Sequence, residues 1–303
     1  MKGYSPRTFH SEKDKQAFVH ACDRDMRTRI TQTVNAIVGQ ETGVHTLGLC
    51  GPTCSGKTTA AKALLEAFSK AGKRVHTVSI DDFYYDKSYL HQRERHANDM
   101  PDYDSVHTID LPALAGMCEG IGKSERLTVP VFDFVRGERV AMREIVCREG
   151  DVLLFEGIQV LYPEVRAIIA REGMCGIFIA PKSEVWVEDS RFEPNELRLL
   201  RRLVRDARFR NTSAEDTLRL WDNVRANEEA SIFPYMNVCE YQIDATYDCE
   251  LHLLAPHVRP LLVGVSEASG KKETAELLLS RLAGIEGITD AYLSADSLFH
   301  EFI

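Results

Sequence analysis

The chain has 303 residues, enough for one large domain or two small ones with ample core. Hydrophobic residues make up 44% and charged residues 27%, the composition of an ordinary soluble globular protein, and the net charge of -9 disfavours non-specific nucleic-acid binding. No apolar run approaches the roughly 18 residues of a membrane-spanning helix, so no membrane partner is expected.

The opening MKGYSPRTFHSEKDKQ lacks the apolar stretch of a signal peptide. The eight cysteines (22, 50, 54, 118, 147, 175, 239, 249) contain no CxxC pair and read as reduced thiols. Together these features predict a cytoplasmic protein.

Residues 11–39 read as one amphipathic helix or two, opened by Ser11 as cap. Residues 44–50 form a short apolar strand, followed by a glycine-containing stretch and a helix to about Ala71. KRVHTVSI (73–80) is a second strand, residues 85–107 a long polar loop or lid, and 108–121 a helix. RLTVPVFDF (126–134) and RVAMREIVC (139–147) read as paired strands, and DVLLFEG (151–157) and CGIFIA (175–180) as buried strands with a short helix between them. Residues 195–210 form an arginine-rich helix, 214–233 another helix and 241–246 a late strand, and 249–262 closes the core. This alternation of strand and helix predicts an α/β fold with a mostly parallel sheet.

Gly51-Pro52-Thr53-Cys54-Ser55-Gly56-Lys57-Thr58 fits GxxxxGK[ST] at every fixed position, after a strand and before a helix. Such a loop curls its backbone N–H groups around a phosphate, and the helix N-terminus adds partial positive charge. Lys57 is placed to bridge the β- and γ-phosphates, and Thr58 to offer its hydroxyl to Mg²⁺. The expected ATP-binding residues are Gly51, Thr53, Cys54, Ser55, Gly56, Lys57, Thr58 and Thr59. GVSEASGKKE (264–273) looks similar, but it has five residues between its glycines and Lys272 where a hydroxyl belongs, so it reads as a turn before a helix.

In open parallel sheets, ligands bind at the carboxyl ends of strands. Asp81 and Asp82 follow VSI, and Glu156 follows VLLF. Asp151 stands at the wrong end of its strand, roughly 17 Å from Glu156 at about 3.3 Å per residue. Glu156 is therefore the better partner for magnesium on Thr58. Asp81 is expected to face the γ-phosphate, and Asp82 to cap or pair elsewhere. On the arginine helix, Arg198, Arg201, Arg202, Arg205 and Arg208 share one face. They read either as a lid that brings charge to the transferring phosphoryl group, joined by Arg210, or as a solvated face paired with nearby acids.

Taken in order, GPTCSGKTT, VSIDDFYY, PVFDFVRGER, VLLFEGIQVLY and LRRLVRDARFRN resemble the uridine kinase and phosphoribulokinase-like group of P-loop kinases, over about residues 44–262. The longer stretch 197–235 and the terminal ADSLFHEFI resemble a longer-chain branch of uridine kinase-like proteins. The resemblance implies a P-loop NTPase-type three-layer sandwich, nucleoside-kinase-like, with a helical lid at about 186–235. It divides the chain into an N-terminal helical extension (1–43), a kinase domain (44–263) and a C-terminal helical segment (264–303).

The resemblance also implies roles. Asp81 matches the general base, acting with Lys57, Arg205 and Arg210. Thr58, Asp81 and Glu156 match the magnesium neighbourhood. Asp81, Tyr84, Asp104, Phe132, Arg139 and Arg202 match substrate positions. ATP and Mg²⁺ are the implied cofactors, and a small hydroxyl-bearing metabolite is the implied partner.

The departures fall on base recognition. Phe132 and Gly137 stand where the family's pyrimidine-reading Tyr and His stand, Arg210-Asn211-Thr212 replaces R-G-R, and Leu220 replaces a glutamine. The catalytic half of the pattern is intact and the base-reading half is not. Three functions follow: a nucleoside kinase of uridine or cytidine type; a kinase of another alcohol or sugar phosphate, phosphoribulokinase-, glycerate- or pantothenate-kinase-like; or a nucleotide-binding regulatory module without turnover. A phosphorylated acceptor would need a basic cluster such as His91, Arg93, Arg95 and His96. The terminal segments either pack on the core or form a homo-oligomer interface, and the sequence leaves both open.

Overall fold

The structure is a computed structural model that describes residues 9–40, 46–90, 92, 104–170, 173–187 and 190–303. In chain order its elements are α1 (Glu12–Val38), β1 (Thr46–Cys50), α2 (Lys57–Lys70), β2 (Val75–Ser79), the single turn α3 (Lys87–Leu90), α4 (Leu111–Cys118), β3 (Arg126–Asp133), β4 (Glu138–Val146), β5 (Val152–Glu156), α5 (Pro163–Ile169), β6 (Cys175–Ala180), β7 (Val185–Val187), β8 (Ser190–Phe192), α6 (Pro194–Phe209), α7 (Ala214–Ser231), β9 (Tyr241–Asp244), α8 (Glu250–Val263) and α9 (Lys272–Leu282). His91, Arg93, Arg95 and His96, the expected basic cluster, lie outside the described residues.

Five strands form one parallel sheet in the order β2-β5-β1-β6-β9. Neighbouring side chains on a strand point to opposite faces, and here each face has its own core. Leu47, Leu49, Leu154, Ile177 and Ile179 enter one apolar cluster with α1, α2, α6, α8 and α9. Leu153, Phe155 and Phe178 enter the other, with α4, α5 and the β3–β4 hairpin. The result is the three-layer α/β sandwich expected of a P-loop fold.

Residues 11–39 form one continuous helix, capped where Ser11 Oγ accepts the Asp14 N–H at 3.2 Å. Phe18, Cys22, Met26, Ile30, Val34 and Ile37 recur every three or four residues along its buried face. Both terminal segments pack into the same core as the sheet: Phe18 to Ile37 and Ala275 to Ile303 belong to one apolar cluster with β1 and β6. Asp23 of α1 ties them together, accepting from the Ser294 N–H (3.0 Å) and the Ser294 hydroxyl (2.8 Å). Residues 264–273 form a bend with Gly270 in the left-handed region, followed by α9, the expected turn before a helix.

Two arginines of the arginine-rich helix, Arg198 and Arg201, depart from both expected environments. A Glu193–Glu196 capping box and Pro194 start α6. Leu197, Leu199, Leu200, Leu203 and Val204 are buried, and so are Arg198 and Arg201, each 1% exposed. Most of α6 is thus a core helix, and only its C-terminal end reaches the cleft described below. Sequence periodicity could not foresee this, because the acids that neutralise the two arginines come from α7 and α8.

Candidate active site

β1 runs at the centre of the sheet and delivers the chain into residues 51–56 before α2 begins at Lys57. A Cβ on Gly51 would stand 2.0 Å from the Ile179 carbonyl oxygen, so only glycine fits where the loop leaves the sheet. Cys54 and Gly56 both have φ in the left-handed region, +56° and +94°, the first a strained value for a residue with a side chain. Ser55 Oγ is fully buried and has no hydrogen-bond partner among the described residues, and Lys57 Nζ donates to the Pro52 carbonyl at 2.9 Å.

The loop is braced from behind by residues that no local motif announces. Arg198 donates to the Thr53 carbonyl (3.1 Å) and forks onto Glu228 (2.6 and 2.7 Å), while Glu228 accepts the Thr53 N–H (3.0 Å). Arg201 donates to the Cys54 carbonyl (3.3 Å) and pairs with Glu250 (2.7 and 3.0 Å). Glu228 and Glu250 are buried at 2% and 0% exposure, so these are neutralised internal pairs. Their partners lie 30 and 49 residues away in sequence, beyond the reach of spacing arguments.

In front of the loop lies a cleft of about 900 Å³. Lys57, Thr58, Asp81, Glu156, Arg205 and Arg210 meet there, drawn from four segments: the start of α2, the turn after β2, the end of β5 and the end of α6. β2 and β5 are neighbours with Ser79 opposite Glu156, which sets the two strand-end carboxylates side by side. Burial pushes the Asp81 carboxyl up to about 7, with the neighbouring Glu156, Asp104 and Asp82 charges adding to the shift and Lys57 opposing it. Burial also raises Glu156, against the Ser79 hydrogen bond and the Lys57 charge.

Asp82 takes the other role expected for the pair. It accepts the Phe132 N–H at 3.2 Å and faces Arg143 at 3.8 Å, fixing the hairpin to the β2 turn. Burial raises its carboxyl, and those two contacts act the other way. Asp151 is bound by Arg74 and His76 at the opposite strand end.

The outer part of the cleft is aromatic. Tyr84, Phe132 and Phe134 meet edge to face with centroids 5.2–6.3 Å apart, beside Asp104 and Leu90. Tyr84 Oη accepts from Gln159 at 2.7 Å. Lys87 Cδ lies 2.4 Å from where a Cβ on Gly137 would stand, so the lysine stem fills the space a side chain at residue 137 would take.

Two expected substrate residues do not line this cleft. Arg139 is committed to Asp110 (2.9 Å) and to the Phe83 and Tyr84 carbonyls (2.9 and 3.0 Å), and Arg202 to Asp206 (3.2 Å). Arg205 is paired with Asp206 (2.8 Å) but borders the cleft with Arg210. Lys87 and Glu301 also line it, and no sequence signal pointed to either.

Residues 46–250 match the Phosphoribulokinase / Uridine kinase family. The chain belongs to this family. It is 28% identical over 174 residues to a protein named uridine kinase from Ureaplasma parvum, covering 57% of this chain and 74% of that one. It is 27% identical over 179 residues to another of that name from Clostridium tetani, covering 59% and 75%. A solved structure from Silicibacter sp. TM1040, which bears the name of a fructose transport system kinase, superposes with a TM-score of 0.50 at 23% identity, over 67% of this chain and 94% of that one. It supports the α/β P-loop fold. As a member of this family the chain is a small-molecule kinase, and membership implies ATP and usually Mg²⁺. No helix among the described residues is long and apolar enough to cross a membrane.

Proposed function

We propose that this protein transfers the γ-phosphoryl group of ATP to a hydroxyl of a small metabolite, a nucleoside of uridine or cytidine type. The observation that carries this reading is Asp81: a carboxyl raised to about 7, set between the loop of Lys57 and Thr58 and the aromatic end of the cleft. A general base works best when its pKa lies near the working pH.

In this reading Asp81 accepts the proton of the acceptor hydroxyl. The acceptor oxygen bonds to the γ-phosphorus as the bond from that phosphorus to the bridging oxygen breaks, and ADP leaves with the electron pair. The loop suits a phosphate chain, with left-handed backbone at Cys54 and Gly56, an orphaned Ser55 hydroxyl and Lys57 at its edge. Arg205 and Arg210 add positive charge from the end of α6 that borders the cleft. Tyr84, Phe132 and Asp104 hold the acceptor, its ring on the aromatic faces and its hydroxyls towards the carboxylate. Arg139 and Arg202 support these walls through the contacts given above.

Thr58, Asp81 and Glu156 offer oxygen donors of the kind magnesium takes, and the metal would neutralise charge on the phosphates. Among the described residues no group of three His, Cys, Asp or Glu side chains could hold a metal without further ligands.

A second reading, a non-nucleoside alcohol or sugar-phosphate acceptor, is favoured by one observation: Phe132 and the Lys87 stem, which fills the space beside Gly137, line the cleft where the family resemblance implies a pyrimidine-reading Tyr and His. The test is Mg²⁺-dependent ADP release from ATP over a panel of nucleosides, sugar phosphates and small alcohols. Stimulation by a nucleoside, lost in Asp81→Asn, is expected. Stimulation by a non-nucleoside alone would reject the nucleoside assignment. ATP binding without stimulation by any acceptor would reject turnover in favour of a regulatory role.

A further inference from the structure

The main cleft contains a carboxylate that phosphoryl transfer does not require. Glu301, at the end of the turn Leu298–Glu301, reaches the first turn of α2. Its Oε2 accepts from the Thr59 N–H at 3.1 Å and from the Thr59 hydroxyl at 3.3 Å. Thr59 is the third residue of α2, so its N–H has no partner within the helix. Such donors at the end of a phosphate loop are the ones a phosphate oxygen takes.

The segment that carries Glu301 is built in. Phe299 and Phe302 are buried (0% and 1% exposed) and lie 5.6 and 4.9 Å from the Arg201 guanidinium carbon. Phe302 also approaches to 4.0 Å from where a Cβ on Gly56 would stand. The backbone is therefore anchored against the loop, whereas the Glu301 side chain is only half-buried. It borders the main cleft on one side and, on the other, a groove of about 590 Å³ between α1 and α2. That groove is lined by Lys62 and Lys70 beside Glu66, and by Arg27, which is already paired with Asp296, so the two lysines are the positive charge a displaced carboxylate has to move towards.

We propose that Glu301 is a built-in competitor for the phosphate chain. It occupies the Thr59 donors in the nucleotide-free protein and must leave them when a triphosphate enters. A carboxylate and a phosphate cannot share one N–H without close like-charge contact, so the C-terminal segment sets nucleotide affinity. The inference rests on the reading of residues 51–59 as a triphosphate site.

Calorimetric titration of the full chain with MgATP, with pyrophosphate and with adenosine tests it, for the wild type, Glu301→Gln and Glu301→Ala. Gln keeps the shape and removes the charge, and guards against an Ala variant that fails to fold. Expected is tighter binding of ATP and pyrophosphate in both variants, about tenfold, which corresponds to about 1.4 kcal/mol. Adenosine, which has no phosphate, should bind unchanged. Equal or weaker ATP binding in the variants, with a wild type that binds ATP, would overturn the inference and leave the triphosphate reading standing. No binding of ATP or pyrophosphate by any of the three proteins would overturn both.

Discussion

Arg201 and Glu250 form a two-pronged ion pair inside the protein: Nε to Oε2 at 2.7 Å and Nη2 to Oε1 at 3.0 Å, with both side chains shielded from water. The same guanidinium also donates to the Cys54 and Ala245 carbonyls. One arginine of α6 thereby joins the phosphate loop, the end of β9 and the start of α8.

Removing one member of such a pair leaves the other buried and unneutralised, at a cost of about 3–5 kcal/mol. Arg201→Ala is therefore expected to destabilise the fold by that amount. Arg202→Ala, one residue on, leaves the buried Asp206 still paired with Arg205 at 2.8 Å and should cost less, about 1–2 kcal/mol. Urea denaturation of the two variants checks the contrast, and equal losses would refute it.

In the proposed mechanism Asp81 links activity to stability. Its carboxyl has an ordinary value of 3.8 and is pushed up to about 7 in the fold, chiefly by burial. Between those pH values the folded state holds more protons than the unfolded one, so stability falls as pH rises through that window. Asp81→Asn should match the wild type in stability near pH 4 and exceed it at pH 8, by on the order of 1–2 kcal/mol after allowance for partial exposure. Denaturation in EDTA at the two pH values measures this. The same variant should lose about 10²–10⁴-fold in kcat while still binding ATP.

Gly51 and Gly72 separate two demands on glycine. A Cβ at Gly51 meets the Ile179 carbonyl at 2.0 Å, whereas at Gly72 it meets nothing within 4 Å among the described residues and only φ = +77° opposes it. Gly72→Ala should cost about 1–2 kcal/mol. Gly51→Ala should cost about 3 kcal/mol or more and abolish ATP binding, because the loop must shift away from β6. Thermal unfolding and calorimetric titration of both variants test the difference.

Phe134 stands half out of the aromatic trio, 53% exposed, at the outer edge of the cleft. Phe134→Ala should leave stability within about 1 kcal/mol of the wild type. It should raise KM for the acceptor several-fold and leave KM for ATP unchanged. A change confined to ATP would place Phe134 on the wrong side of the transfer.

Much of this protein can be read along its chain. The loop of residues 51–58, the strand-end position of Asp81 and Glu156, and the alternation that builds a parallel sheet are local patterns. A few neighbouring residues specify each of them. What folding decided is who meets whom across long separations. The periodicity that placed Arg198 and Arg201 on one face of α6 carried no information about Glu228 and Glu250, which turn that face into an internal brace for the loop. Arg139 and Arg202 kept the family's spacing, yet local carbonyls and carboxylates take up their guanidinium groups. Glu301 follows the loop by some 240 residues and reaches Thr59 only because α1 and the C-terminal segment share one core with the sheet. Hydrogen bonds and ion pairs act over a few ångströms, and a chain states its spacing in residues, so partners this distant in sequence become visible only once the backbone has closed.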